Sequence, residues 1–232
     1  MVLAGLQKNS LIDYPGKVSS VLFLSGCNFD CPYCHNPALV KGSPLLSPPV
    51  DEETVYDFLE SRRSFLDGVV ISGGEPTLHK GLVILCEKIK QLGYPVKLDT
   101  NGSRPQVIKT LADEGLVDYI AMDIKTDPFR YSPLTKEAYT PERILSSIKI
   151  IMESNLPHEF KTTCIKPLVD VSVIETISRL IEGSDLYALQ RFQRTEVLHP
   201  EFFEENEYRI DDNELLHLKS VAEPWVKKCI IR

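Results

Sequence analysis

The sequence is expected to fold as an α/β protein, a partial (βα)6 barrel of parallel strands in a single domain, and three observations lead there. Short apolar runs alternate with amphipathic segments six times between residues 18 and 198; polar residues recur at the C-terminal end of each apolar run; and 232 residues suffice to bury a full core. Buried parallel strands read as continuous apolar stretches, as these do. Six repeats rather than eight leave a TIM-like barrel open on one side.

The elements follow in order. Val2 to Gly16 is a lead-in ending in Asp13-Tyr14-Pro15-Gly16, where Pro-Gly marks a turn, so residues 1–17 are expected to form a small β-ribbon. The first barrel strand is Val18 to Leu24. Pro37 to Pro49, with Gly42, Pro44 and Pro48, is a surface connection. Asp51-Glu52-Glu53-Thr54 caps a helix with Val55, Phe58 and Leu59 on one face, running to about Phe65. Strand Gly68–Ser72 leads through Gly73-Gly74-Glu75-Pro76 to a helix from about Lys80 to Leu92. Strand Val96–Asp99 precedes a helix from about Pro105 to Glu114, and strand Tyr119–Asp123 precedes helix Pro141–Glu153. Strand Glu159–Ile165, helix Val171–Ile181 and strand Leu186–Phe192 complete residues 18–198 as the core. Residues 199–232 form an extension packed on it, with an acidic run (Glu201, Glu204, Glu205, Glu207), a short helix and a last strand within Val226–Ile231.

Composition narrows the function classes. Of six cysteines, Cys27, Cys31 and Cys34 stand together while Cys86, Cys164 and Cys229 are scattered, which is not a disulfide framework. No charged-then-apolar leader opens the chain and no apolar run approaches the roughly 18 residues of a membrane span, so a reducing cytoplasm is the expected home. With 26 basic against 33 acidic residues and a net charge of −7, neither nucleic acid nor membrane is an expected partner.

Chemistry concentrates in Gly26-Cys27-Asn28-Phe29-Asp30-Cys31-Pro32-Tyr33-Cys34-His35-Asn36. C-x3-C-x2-C can hold one small inorganic cluster by three sulfurs, and no fourth cysteine follows within reach. One metal position would stay open for a substrate, whereas a structural zinc site uses four protein ligands. The spacing alone also permits a zinc knuckle completed by His35 or a distant residue. In a parallel barrel the strand exits converge on one edge. Here that edge gathers Cys27, then Gly73-Gly74-Glu75, Asp99 with Asn101, Asp123 with Lys125, Lys161 with Thr163, and Gln190 with Gln193.

The loop CNFDCPYC resembles the cluster loop of the radical S-adenosylmethionine (SAM) superfamily. The resemblance implies a 4Fe-4S cluster on Cys27, Cys31 and Cys34 whose open iron chelates the methionine part of SAM, with Tyr33 near the adenine. Gly73-Gly74-Glu75-Pro76 resembles that family's GGEP turn, which implies a backbone approach to the SAM amino group. Glycines permit such an approach, a carboxylate suits an ammonium, and proline stiffens the exit. Cys34-His35-Asn36-Pro37, Asp99-Thr100-Asn101-Gly102 and Asp123-Ile124-Lys125 are similar to the activating enzymes of glycyl radical enzymes, within which anaerobic ribonucleoside-triphosphate reductase activating proteins are the nearest group. That likeness implies that Asp99, Asn101, Asp123 and Lys125 help hold SAM. Where those activases carry Arg and His, this chain has Lys161 and Gln193, and lysine offers a point charge where arginine offers a fork.

The implied reaction is one-electron cleavage of SAM to methionine and a 5′-deoxyadenosyl radical, which takes a hydrogen from a glycine Cα of a partner such as anaerobic ribonucleotide reductase. The electron would come from reduced flavodoxin or ferredoxin. Two alternatives stay open: the same chemistry on a purine-like or pterin-like small molecule, and a non-enzymatic zinc or iron–sulfur interaction module. Among single residues, Asp99 and Asp123 could instead cap helices or pair with Lys125, Asn101 could be a turn residue, and His35 could bond only the backbone.

Overall fold

The computed structural model describes residues 2–42, 49–136, 138–205 and 207–232. Its strands are β1 Leu3–Ser10, β2 Ser19–Leu24, β3 Gly68–Gly73, β4 Val96–Thr100, β5 Tyr119–Asp123, β6 His158–Cys164, β7 Tyr187–Arg191 and β8 Cys229–Ile231. They form one sheet in sequential order. β1 runs antiparallel to β2, and each later neighbouring pair is parallel. Between them lie α1 Pro37–Lys41, α2 Glu52–Ser61, α3 Leu82–Gln91, α4 Pro105–Asp113, α5 Pro141–Glu153, α6 Val171–Leu180, α7 Phe202–Glu205 and α8 Asp212–Ala222.

Strand periodicity divides the side chains between two environments. Leu22, Ile71, Leu98, Met122, Phe160 and Leu189 face outward into the main core shared with the helices. Helix α2 shows how a helix joins that core. Asp51 caps it by accepting the Thr54 N–H, and Val55 and Leu59 are fully buried. Each such side chain contributes about 1.5–3 kcal/mol, so Leu59→Ala would cost about 2–5 kcal/mol. The barrel lumen is different. On its β2–β3 side Tyr14, Val21 and Val70 form a small apolar plug with Phe23 and Tyr119. On its β4–β6 side stand Lys97, Asp99, Glu159 and Lys161, charged and largely buried.

The partial barrel is as the sequence predicts, with two departures. The connection expected from Pro37 to Pro49 contains helix α1, because proline is compatible with a first turn, Leu39 and Val40 are buried, and Gly42 at φ 61° ends it. Residues 44 and 48 of that connection lie outside the described residues. The C-terminal extension also does more than cover the core: β8 pairs in parallel with β7 and adds a seventh parallel strand. No helix among the described residues is long and apolar enough to cross a membrane.

Candidate active site

The loop leaving β2 is fastened on four sides. Gly26, at φ 87°, turns the chain out of the strand and donates its N–H to the Leu39 carbonyl at 2.7 Å. From the β5 side, the Asp30 N–H reaches the Leu134 carbonyl at 2.8 Å and the Lys136 N–H reaches the Asn28 carbonyl at 2.9 Å. From the junction of the core with the C-terminal extension, the Leu198 N–H donates to the Cys34 carbonyl at 3.0 Å and the His199 N–H to the Pro32 carbonyl at 3.1 Å. From β4, Asn101 Nδ2 donates to Asn28 Oδ1 at 3.0 Å and lies 3.9 Å from Cys27 Sγ. Asn101 therefore braces the cysteine loop as well as turning the chain.

Burial pushes the Cys27 thiol up to about 11 and the Cys31 thiol up to about 12, so binding a metal there must release protons. His35, beside Cys34, has its ring engaged. Its Nε2 meets the Gln193 carbonyl at 2.8 Å, and its ring stacks on Phe192 at 5.3 Å. Tyr33 is buried, edge-on to Phe192 at 6.4 Å, with its hydroxyl beside the Cys31 thiol.

The turn after β3 is pressed against the loop after β2. A Cβ on Gly73 would lie 2.3 Å from the Leu24 carbonyl oxygen, and one on Gly74 would lie 2.0 Å from that of Gly26. Both glycines are thus required by the packing of the two turns. The Gly74 and Glu75 N–H groups donate to those same two carbonyls, each at 2.8 Å. Glu75 is fully buried: Oε1 accepts from the Thr77 N–H, Thr77 Oγ1 and Thr100 Oγ1, and Oε2 accepts from the Asn101 N–H at 2.6 Å. Burial raises its pKa while those bonds oppose the rise. Its carboxylate joins the exits of β3 and β4, and Pro76 opens a one-turn 3-10 helix behind it.

Farther round the rim, charges alternate. Lys161 Nζ lies 3.3 Å from Asp99 and 3.6 Å from Asp123, and Lys125 Nζ lies 3.0 Å from Asp123. Asp99 also holds Lys97 at 2.7 Å. Burial alone would raise the Asp99 carboxyl, but Lys161 and then Lys97 hold it at about 2. Asp123 is likewise lowered by Lys125 and Lys161 against its burial. Neither aspartate caps a helix; the residue before α4 is Arg104.

These groups line one cavity of about 340 Å³, walled by Cys27, Cys31, Tyr33 and Cys34 on one side and by Gly73 to Glu75, Asp99, Asn101, Asp123, Lys125 and Lys161 on others. Thr163 and Gln190 add to its wall. Gln193 does not. β7 ends at Arg191, so Gln193 is an exposed residue beyond the strand whose carbonyl anchors His35, and Gln190 supplies the inward polar side chain. Sequence reasoning also missed Asn28, Ser103 and the backbone of Leu198 and His199, which brace the cysteine loop; backbone bonds from a distant segment leave no motif.

The donor set fits a cluster better than a lone ion. Among the described residues no three His, Cys, Asp or Glu side chains gather as a single-ion site, whereas three thiols on one cavity wall, with no fourth, match three-point ligation of an iron–sulfur cluster.

The family model described as Radical SAM superfamily matches residues 21–180. The chain is 36% identical over 236 residues to a Methanocaldococcus jannaschii protein named as a glycyl-radical enzyme activating enzyme, covering 100% of this chain and 95% of that relative. It is 30% identical over 132 residues to a 7-carboxy-7-deazaguanine synthase of Haemophilus influenzae, covering 56% of this chain and 53% of that one. Among solved structures, Streptococcus suis SuiB bound to S-adenosylmethionine matches with a TM-score of 0.64 at 13% identity, over 91% of this chain and 51% of that one. This last is a likeness of fold, and the chain spans about half of SuiB's length.

Proposed function

This chain belongs to the radical SAM superfamily and is a radical SAM enzyme, and on that premise we propose that it installs a glycyl radical on a partner enzyme such as anaerobic ribonucleotide reductase. The observation that carries the reading is the shared cavity, whose wall brings together Cys27, Cys31 and Cys34, the Gly73–Glu75 turn and the Asp99, Asp123, Lys125 group. Cys27, Cys31 and Cys34 would hold a 4Fe-4S cluster. The backbone of Gly73 and Gly74, with Asn101, Asp99, Asp123, Lys125 and Lys161, would hold SAM. When bound, these two groups together supply reductive cleavage of SAM to methionine and a 5′-deoxyadenosyl radical.

The protein's own part is orientation and exclusion. The loop bracing from Asn101, Leu134 and Leu198 fixes where the thiols point. The buried Glu75 locks the turn that faces them. The paired carboxylates Asp99 and Asp123 stay ionised in a buried wall because lysines neutralise them. Residues 18–198 are the part we assign to this chemistry, residues 1–17 a ribbon that extends the sheet, and residues 199–232 a brace for the cysteine loop. Reduced flavodoxin or ferredoxin is the proposed electron donor. Free cysteines at all six positions suit a reducing cytoplasm.

A second reading, a purine-like or pterin-like small-molecule substrate, draws on the likeness to the deazaguanine synthase. That likeness covers about half the chain, whereas the likeness to the activating enzyme runs its full length, and we favour the protein partner. Anaerobic incubation of the reconstituted, reduced protein with SAM and anaerobic ribonucleotide reductase tests this. A doublet glycyl radical signal in the electron paramagnetic resonance spectrum is expected. SAM cleavage without that signal on any glycyl radical enzyme supplied would turn the reading toward the small molecule.

A further inference from the structure

The aspartates of the candidate site belong to a longer series that crosses the barrel lumen. From the cavity inward, Lys125 holds Asp123 at 3.0 Å, Asp123 meets Lys161 at 3.6 Å, and Lys161 meets Asp99 at 3.3 Å. Asp99 then holds Lys97 at 2.7 Å, Lys97 meets Glu159 at 3.6 Å, and Glu159 meets Arg232 at 2.7 Å. Seven side chains from β4, β5, β6 and the residues beside β5 and β8 thus alternate in sign. Each of the three carboxylates sits between two cations, and each interior cation between two carboxylates.

Only the two ends have a single charged neighbour in the series. The Arg232 side chain is 35% exposed, whereas those of Glu159 and Lys97 are 2% and 3% exposed. A buried charge that loses one of its two partners is costly, and without Arg232 the remaining cation beside Glu159 is Lys97, so the loss is answered inside the series. Lys97 would turn toward Glu159, Asp99 would draw Lys161, and Asp123 would be left to Lys125 alone. The perturbation ends at the wall of the cavity.

We propose that Arg232 is a remote positioning residue for SAM, fixing the Asp99, Asp123 and Lys125 side chains through Glu159, Lys97 and Lys161. Lys161 then reaches the SAM site as the middle of the series, fixed between two carboxylates. The inference rests on the SAM site proposed above.

The test is SAM affinity, measured by calorimetry on the cluster-reconstituted holoprotein, alongside thermal unfolding. Arg232→Gln is expected to weaken SAM binding about 5-fold or more, a coupling of ordinary size between linked sites, and Arg232→Lys to recover most of the loss. Lys227→Ala, which removes a surface cation paired with Asp185 near the same terminus, is expected to leave affinity within about two-fold. The double variant Arg232→Gln/Glu159→Gln, which removes both members of the last pair, is expected to bind better than Arg232→Gln alone. It also answers the case in which the single variant fails to fold. Unchanged affinity in Arg232→Gln with a lowered unfolding temperature would overturn the proposal, as would a double variant weaker than the single. A wild-type holoprotein that binds no SAM would overturn the site itself.

Discussion

Gly74 and Gly26 touch backbone to backbone: a Cβ on Gly74 would lie 2.0 Å from the Gly26 carbonyl oxygen, with the Glu75 N–H bonded to that same oxygen at 2.8 Å. The turn after β3 and the residue before Cys27 therefore move as one body. Gly74→Ala is expected to destabilise the protein by about 1–3 kcal/mol, because the clash is with backbone that cannot rotate away. It is also expected to lower the iron held per chain after reconstitution. Urea denaturation and iron quantitation check both; a variant with wild-type iron content would separate the turn from the cysteine loop.

Glu75→Gln should cost about 3 kcal/mol, since hydrogen bonds to a charged acceptor are the strong ones. The carboxylate takes bonds from Thr77, Thr100 and Asn101, and an amide would present an NH2 group to one of those donors. Equilibrium denaturation of the apoprotein measures the loss. Little change would mean that the β3 and β4 exits are held together by other contacts.

Tyr33→Phe works in the other direction. The hydroxyl is buried beside the Cys31 thiol, and a thiol is a weak hydrogen-bond partner, so removal of the hydroxyl from the apoprotein is expected to be neutral or stabilising by up to roughly 1 kcal/mol. Thermal unfolding checks this, and a clear loss of stability would show that the contact with Cys31 is a strong one.

The Asp99 pairing makes acid stability pH-dependent. Its folded pKa of about 2 lies below the ordinary 3.8, so the unfolded chain binds the proton more readily. The stabilisation, about 2 kcal/mol by linkage, is complete above pH 4 or so and is lost as pH falls from there toward 2. Asp99→Asn is expected to be less stable than wild type near neutrality and to lack this part of the pH slope. Denaturation midpoints across that window decide it.

Much of this was legible before the structure. Apolar strands with polar exits located the edge at which Cys27, Glu75, Asp99, Asp123, Lys125 and Lys161 meet. What escaped was of two physical kinds. Side-chain direction at the end of β7 depends on where the strand stops, so Gln190 and Gln193 could not be ranked until Arg191 proved to be the last paired residue. Roles carried by the backbone also leave no trace in residue identity. The glycines after β3 are needed for a second reason that residue identity does not show, since an added Cβ would strike the backbone of Leu24 and Gly26. Leu198 and His199 fasten the cysteine loop through N–H groups that any residue but proline would supply. Helix α1 was hidden because Pro37 and Gly42, read as loop residues, are also the start and stop of a short helix.

The central claim is that Cys27, Cys31 and Cys34 hold an iron–sulfur cluster against which SAM is cleaved. The most direct measurement is the yield of 5′-deoxyadenosine from anaerobically reconstituted, reduced protein supplied with SAM, compared with each single Cys→Ser variant. The account predicts an oxygen-sensitive cluster and 5′-deoxyadenosine from the wild type, and neither full cluster content nor cleavage from any of the three variants. Intact SAM in the wild-type reaction, or cleavage undiminished by loss of one of these cysteines, would contradict it.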